Sequence, residues 1–210
     1  MDNLVVWAAD VGSIKQGRFG YCRLQADGLQ EPQYGEDIGG FADRIAEDLL
    51  RGKQVALGFE CPLFVPVPDS KLDLLRGRRI DGNRPWSAGA GSGALVTGLV
   101  ECAWVLREIF EKAGAKVQPT LDWECFVSGG ANLFLWEAFV SGKAKTSSSS
   151  GNSNGHIHDA ETAAREFLTA DKKVSREDAD VFSLAGAALL YTGLTTDREV
   201  LKKQCMVIKA

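Results

Sequence analysis

Residues 5–24 read VVWAADVGSIKQGRFGYCRL, an apolar run that ends on Asp10, turns, and becomes apolar again. The first half reads as a central strand buried on both faces, and RFGYCRLQ (residues 18–25) alternates like the second arm of a hairpin. A carboxylate at the end of such a strand is unusual. Left unpaired in the interior it costs several kcal/mol or neutralises itself, so it is paired, hydrogen-bonded or bound to a metal.

A second run repeats the pattern. QVALGFECPL (residues 54–63) is apolar up to Glu60. Between the two lies GGFADRIAEDLLRGK (39–53), with Phe41, Ile45, Leu49 and Leu50 at the spacing of an amphipathic helix stopped by Gly52. One right-handed crossover through that helix would set the second strand parallel to the first and beside it, about 4.8 Å away. Asp10 and Glu60 would then sit side by side at one end of the sheet. Two carboxylates so close repel, and a divalent cation relieves the repulsion. The plainer alternatives are a turn acid before Gly12 and an acceptor before Pro62.

The rest of the chain is compatible with one α/β domain over residues 1–210. ALVTGLVECAWVLREIFEKAG (94–114) reads as a strong helix with Gly114 as its C-cap. AKVQPT (115–120) and LFLWEAFVSG (133–142) read as strands. HDAETAAREFLTA (158–170) and DADVFSLAGAALLYTG (178–193) read as helices, the second with small residues suited to close packing. Residues 61–93 form a long irregular loop, a length that marks function or disorder. The serine-rich segment at about 146–155 has nothing to bury and reads as flexible. The expected fold is therefore an α/β sandwich whose mixed sheet starts with an antiparallel hairpin and continues with parallel strands, flanked by helices.

Composition narrows the function classes. A net charge of −4 argues against a protein that coats nucleic acid without specificity, so any such contact comes from a local patch. Five cysteines, odd in number, widely spaced and without CxxC pairs, read as reduced packing residues. The N-terminal stretch lacks a basic region, and the sequence is expected to hold no apolar run approaching the roughly 20 residues of a membrane span. The expectation is a cytoplasmic protein with no membrane partner.

AADVGS before a hairpin, GFECPL on the next buried strand and DADVFSLAGAALL near the end of the chain resemble the RNase H-like superfamily, its resolvase-like branch above all. RPWSAGAGSGALVTGL (84–99) also resembles the loop and helix of a family of uncharacterised RNase H-like nucleases. The resemblance implies a metal-dependent phosphodiesterase acting on nucleic acid, with Mg²⁺ or Mn²⁺ on Asp10, Glu60 and an Asp of the final helix. Asp180 is the expected third ligand. SRED (175–178) fits a capping box, which gives Asp178 a structural task, whereas Asp180 would share a helical face with Leu184 and Ala188. The family pattern has a second acid three residues later, where this chain has Ser183. That departure motivates a rival reading, a catalytically reduced binding protein. HIHDAE (156–161) supplies another candidate ligand in Asp159, alongside His156 and His158, although Asp159 also suits a helix N-cap. Glu137 interrupts an apolar strand and reads as a further ligand or a buried partner for a base.

KLDLLRGRRIDGNRPW (71–86) leaves the Glu60 strand carrying Arg76, Arg78, Arg79 and Arg84 beside Trp86. That combination suits phosphate contacts with an aromatic for stacking; a solvated charge run is the alternative. GAGSGA (89–94) follows a Pro-Trp loop rather than a strand, which speaks against a dinucleotide site. DVGS also resembles the first phosphate loop of actin-like ATPases, making nucleotide-dependent phosphoryl transfer a third reading. A homodimer stays open.

Overall fold

The computed structural model describes residues 3–140, 154–172 and 177–210. Its order is β1 (Leu4–Asp10), β2 (Gly20–Gln25), β3 (Gln33–Gly35), α1 (Ile38–Leu50), β4 (Gln54–Phe59), β5 (Phe64–Val67) and α2 (Gly89–Ala113). There follow β6 (Pro119–Thr120), α3 (Trp123–Val127), β7 (Leu133–Phe139), α4 (Asn154–Thr169), β8 (Asp180–Ser183), α5 (Leu184–Tyr191) and β9 (Met206–Lys209). The main sheet runs β3-β2-β1-β4-β7-β6. β1 pairs antiparallel with β2 and parallel with β4, and β4 continues parallel to β7. The α/β class and the mixed sheet are as the sequence predicts. β9, which the sequence reading does not include, lies parallel to β7 on the edge that β6 begins.

Each central strand is covered on both faces, so β1 is apolar up to Asp10 and its alternation sorts residues between two cores. Val5, Trp7 and Ala9 pack with Phe41 and Ile45 of α1, Val105 and Ile109 of α2, and Ala188 and Leu189 of α5. Leu4, Val6 and Ala8 face the other way, onto Ala160, Ala163, Ala164 and Phe167 of α4. α1 is started by Asp37, whose carboxylate accepts from the N–H groups of Gly39 and Gly40. A buried pair ties α1 to the hairpin. Arg23 Nε and Nη2 donate to Asp48 at 2.9 and 3.1 Å, and Trp7 Nε1 adds a bond of 3.0 Å.

Several elements differ from the sequence expectations; the expected irregular loop 61–93 contains strand β5, which its apolar residues Phe64 and Val65 form. α2 starts at Gly89, five residues before Ala94, because the 89–94 glycine run continues into the helix. By length and composition alone Gly89–Lys116 could cross a membrane, contrary to the expectation that no run comes close. Its inward side, from Gly98 to Ile109, is buried on the protein core. The segment 178–193 is not one helix but strand β8 followed by α5. Val181 and Phe182 are strand formers, and β8 pairs antiparallel with β5 in a separate two-stranded sheet. Residues 146–153 of the serine-rich segment and Ser175 of the expected capping box lie outside the described residues.

Candidate metal centre

The register of the sheet brings the first two carboxylates together. Ala9 of β1 is the partner of Phe59 in β4, and Glu60 N–H donates to Ala9 O at 2.8 Å. Asp10 and Glu60 are therefore neighbours at the C-terminal ends of adjacent parallel strands. The parity that sends Ala8 and Ala56 to the α4 side sends both acids there too.

α4 delivers the rest of the site. It starts before His156, so His156 and Asp159 sit one turn apart on the same helical face. Asp10, Glu60 and Asp159 each offer an oxygen within 4.8 Å of the others, and Asp10 and Asp159 are only 5% and 3% exposed. His156 Nδ1 lies 2.5 Å from Asp10 Oδ2. Gly20 makes this approach possible. It is the β2 partner of Asp10, and a Cβ there would come within 2.6 Å of the backbone of His156 and Ile157. The alanines of α4 extend the close packing along the helix.

Asp180, the expected third ligand, is not in this cluster. It is an exposed residue at the start of β8, paired in register with Val67. The helical face that was to align it with Leu184 does not exist, because Ser183 ends the strand and starts α5. The Ser183 hydroxyl accepts from Gly186 N–H at 3.1 Å, so Ser183 is an N-cap rather than a vacated ligand position. Asp178 is exposed and bonded to Arg79 at 3.1 Å. His158 is exposed on α4. Asp159 needs no N-cap role, since α4 has already begun.

Arg78 is also not a phosphate contact. It is 3% exposed, and Nη1 and Nη2 donate to the two oxygens of Glu137 at 2.7 and 2.6 Å. Its Nε donates to Asp81 at 2.8 Å, and the guanidinium lies over the Phe64 ring. Glu137 is thus a buried partner for a base, the second of its two sequence readings. Its parity places it on the opposite sheet face from α4, which is why it does not join the Asp10 cluster. Asp81 also accepts from Trp86 N–H at 3.1 Å, so one hub orders the loop after β5. Arg76, Arg79 and Arg84 remain exposed, while Trp86 is half-buried with Nε1 donating to Arg76 O.

Sequence reading missed Glu101. It comes from α2 where Gly98 lets the helix close on Cys61; a Cβ at Gly98 would lie 2.3 Å from Cys61 Sγ. Burial pushes the Glu101 carboxyl up to about 7; the Gly12 N–H it accepts opposes the rise and the nearby Asp10 adds to it. A carboxylate on the otherwise apolar buried stripe of α2 was the available signal.

Set against protein-family models, curated proteins and solved structures, the chain matches none of them. The chemistry of the site therefore has to come from its own donors. Three carboxylates make a hard, oxygen-rich donor set that could hold a metal ion.

Proposed function

We propose that this protein is a metal-dependent phosphodiesterase of the RNase H-like type acting on nucleic acid. The observation that carries the reading is the convergence of Asp10, Glu60 and Asp159 at the C-terminal edge of a mixed sheet. Three carboxylates that offer oxygens within 4.8 Å of one another, two of them nearly buried, suit a divalent cation. Asp10, Glu60 and Asp159 are the residues that would hold Mg²⁺ or Mn²⁺. Bound there, the ion would lower the pKa of water and stabilise charge on a phosphoryl oxygen.

The chain's own groups divide the remaining work. Asp10 is fixed by the β1 register and by His156, so its carboxylate needs little reordering. Histidine gains and loses a proton near neutral pH, which suits His156 to hold one between Nδ1 and Asp10 Oδ2. Exposed Arg76, Arg79 and Arg84 lie on the loop that leaves the Glu60 strand and can contact phosphates. Ser183, which motivated the rival reading of a catalytically reduced binding protein, is employed as a cap, and that rival is an outcome of the test below.

The test is incubation of the purified protein with Mn²⁺ and labelled single-stranded, duplex and branched DNA and RNA. Cleavage that disappears in Asp10→Asn is the expected result. Tight Mn²⁺ binding with every substrate left intact would replace the proposal by a binding protein, and hydrolysis of ATP alone would replace it by the actin-like reading.

A further inference from the structure

Beside the carboxylate cluster lies a cleft of about 570 Å³, within the range of small-ligand sites. Glu60 belongs to both. The remaining wall is mostly apolar, with Pro62, Trp86, Ala88 and Phe139; exposed Arg84 lines it, and Lys209 Nζ lies 5.4 Å from the centroid of the Phe139 ring. The wall is built rather than incidental. Asp81 accepts from the N–H groups of Arg78 and Trp86 at 2.9 and 3.1 Å, and Trp86 Nε1 is held on Arg76 O at 3.0 Å. The indole is thereby pinned in place.

We infer that this cleft is a subsite for one unpaired nucleotide of the substrate strand, its base between the Trp86 and Phe139 walls and its phosphate toward Glu60's metal and Arg84. The inference rests on the phosphodiesterase reading and narrows its substrate class. Aromatic walls stack any base, because every base offers a π-face. A concave cleft receives a base only after the base has left its stack, and that step costs a few kcal/mol in a duplex and little in a single strand. The cleft therefore selects single-stranded or locally unpaired nucleic acid over intact duplex. The Arg78 guanidinium in the floor is taken up by Glu137 and Asp81 and so is not offered to an anionic group, consistent with a base rather than a phosphate lying there.

The experiment measures binding in Ca²⁺, an ion used to hold the substrate without turnover. The probes are a fluorescent single-stranded 9-mer DNA, the matching duplex and the free mononucleotide dAMP. Ala88→Trp and Ala90→Trp, both at exposed positions, fill the cleft without disturbing the core. Expected are single-strand binding at least tenfold tighter than duplex or dAMP, loss of that preference in both variants, and Mn²⁺ affinity unchanged within twofold. Variants that bind the single strand as the parent does would overturn the subsite while leaving cleavage, and so the phosphodiesterase reading, intact. Equal affinity for dAMP and the 9-mer would make the cleft a free-nucleotide site and overturn the strand assignment. Parent protein that binds neither polymer and cleaves nothing in Mn²⁺ overturns both.

Discussion

His156 Nδ1 stands 2.5 Å from Asp10 Oδ2, although 146 positions of sequence separate the two residues. The contact joins the start of α4 to the end of β1, and it couples a group that can carry a proton to the most enclosed strand-borne acid of the site. Replacing His156 with Ala is expected to lower Mn²⁺-dependent cleavage by about 100-fold, the scale of a lost acid–base group. Mn²⁺ affinity should fall less than in Asp159→Asn. Calorimetric titration alongside cleavage rates checks the split; equal losses in both would reduce His156 to a ligand.

Asp159 and Asp180 make opposite predictions. Asp159→Asn should weaken Mn²⁺ binding by ten-fold or more, as expected for a ligand or its immediate support. Asp180→Asn, at an exposed strand end, should leave both binding and melting temperature nearly unchanged. The same titration on both variants decides between them.

Arg78 bridges two acids, Glu137 and Asp81, in the loop floor. Arg78→Met strands Glu137 and Asp81 and should cost about 3–5 kcal/mol. A double variant, Arg78→Met with Glu137→Leu, should recover part of that loss. Urea unfolding of the single and double variants measures the coupling; simple additivity would contradict the hub.

Gly20→Ala tests the packing that brings α4 to the site. The added methyl would meet the His156 backbone at 2.6 Å, so the helix must move. Expected are a loss of about 1–3 kcal/mol in stability and weaker Mn²⁺ binding in a protein that still folds. Unchanged metal affinity would mean that α4 does not set the site's geometry.

Glu101 gives a pH dependence with a definite sign. Its carboxyl is raised from 4.5 to about 7 in the fold, so the unfolded chain gives up the proton first. The folded state is then penalised as pH rises from about 4.5 through 7, by up to about 3 kcal/mol. In metal-free buffer Glu101→Gln, which can still accept from Gly12 N–H, should equal the parent near pH 4.5 and become the more stable of the two by pH 7.5. Melting curves across that window check it, and parallel curves would show that the carboxyl is not held protonated.

Much of this was legible in the linear chain. Apolar runs ending in Asp10 and Glu60, with one helix between them, fixed the hairpin, the crossover and the meeting of the two acids, since strand pairing and side-chain alternation are local rules. The α/β class followed from the same periodicities. What the sequence alone could not assign was the third acid and the role of the arginines. Asp180 and Asp159 both stand next to helix-like stretches, and local propensity rates them alike. The choice was made by tertiary packing: β5 captured residues 180–183 as a strand, while Gly20 and the alanines of α4 let His156 and Asp159 descend onto Asp10. Arg78 looks like its exposed neighbours in sequence, yet Glu137, 59 residues away, drew it into the interior. Strand ends and alternation are set by neighbours in the chain. Which charges are buried together is set by partners distant in sequence, because the free energy of a buried charge depends on what surrounds it in space.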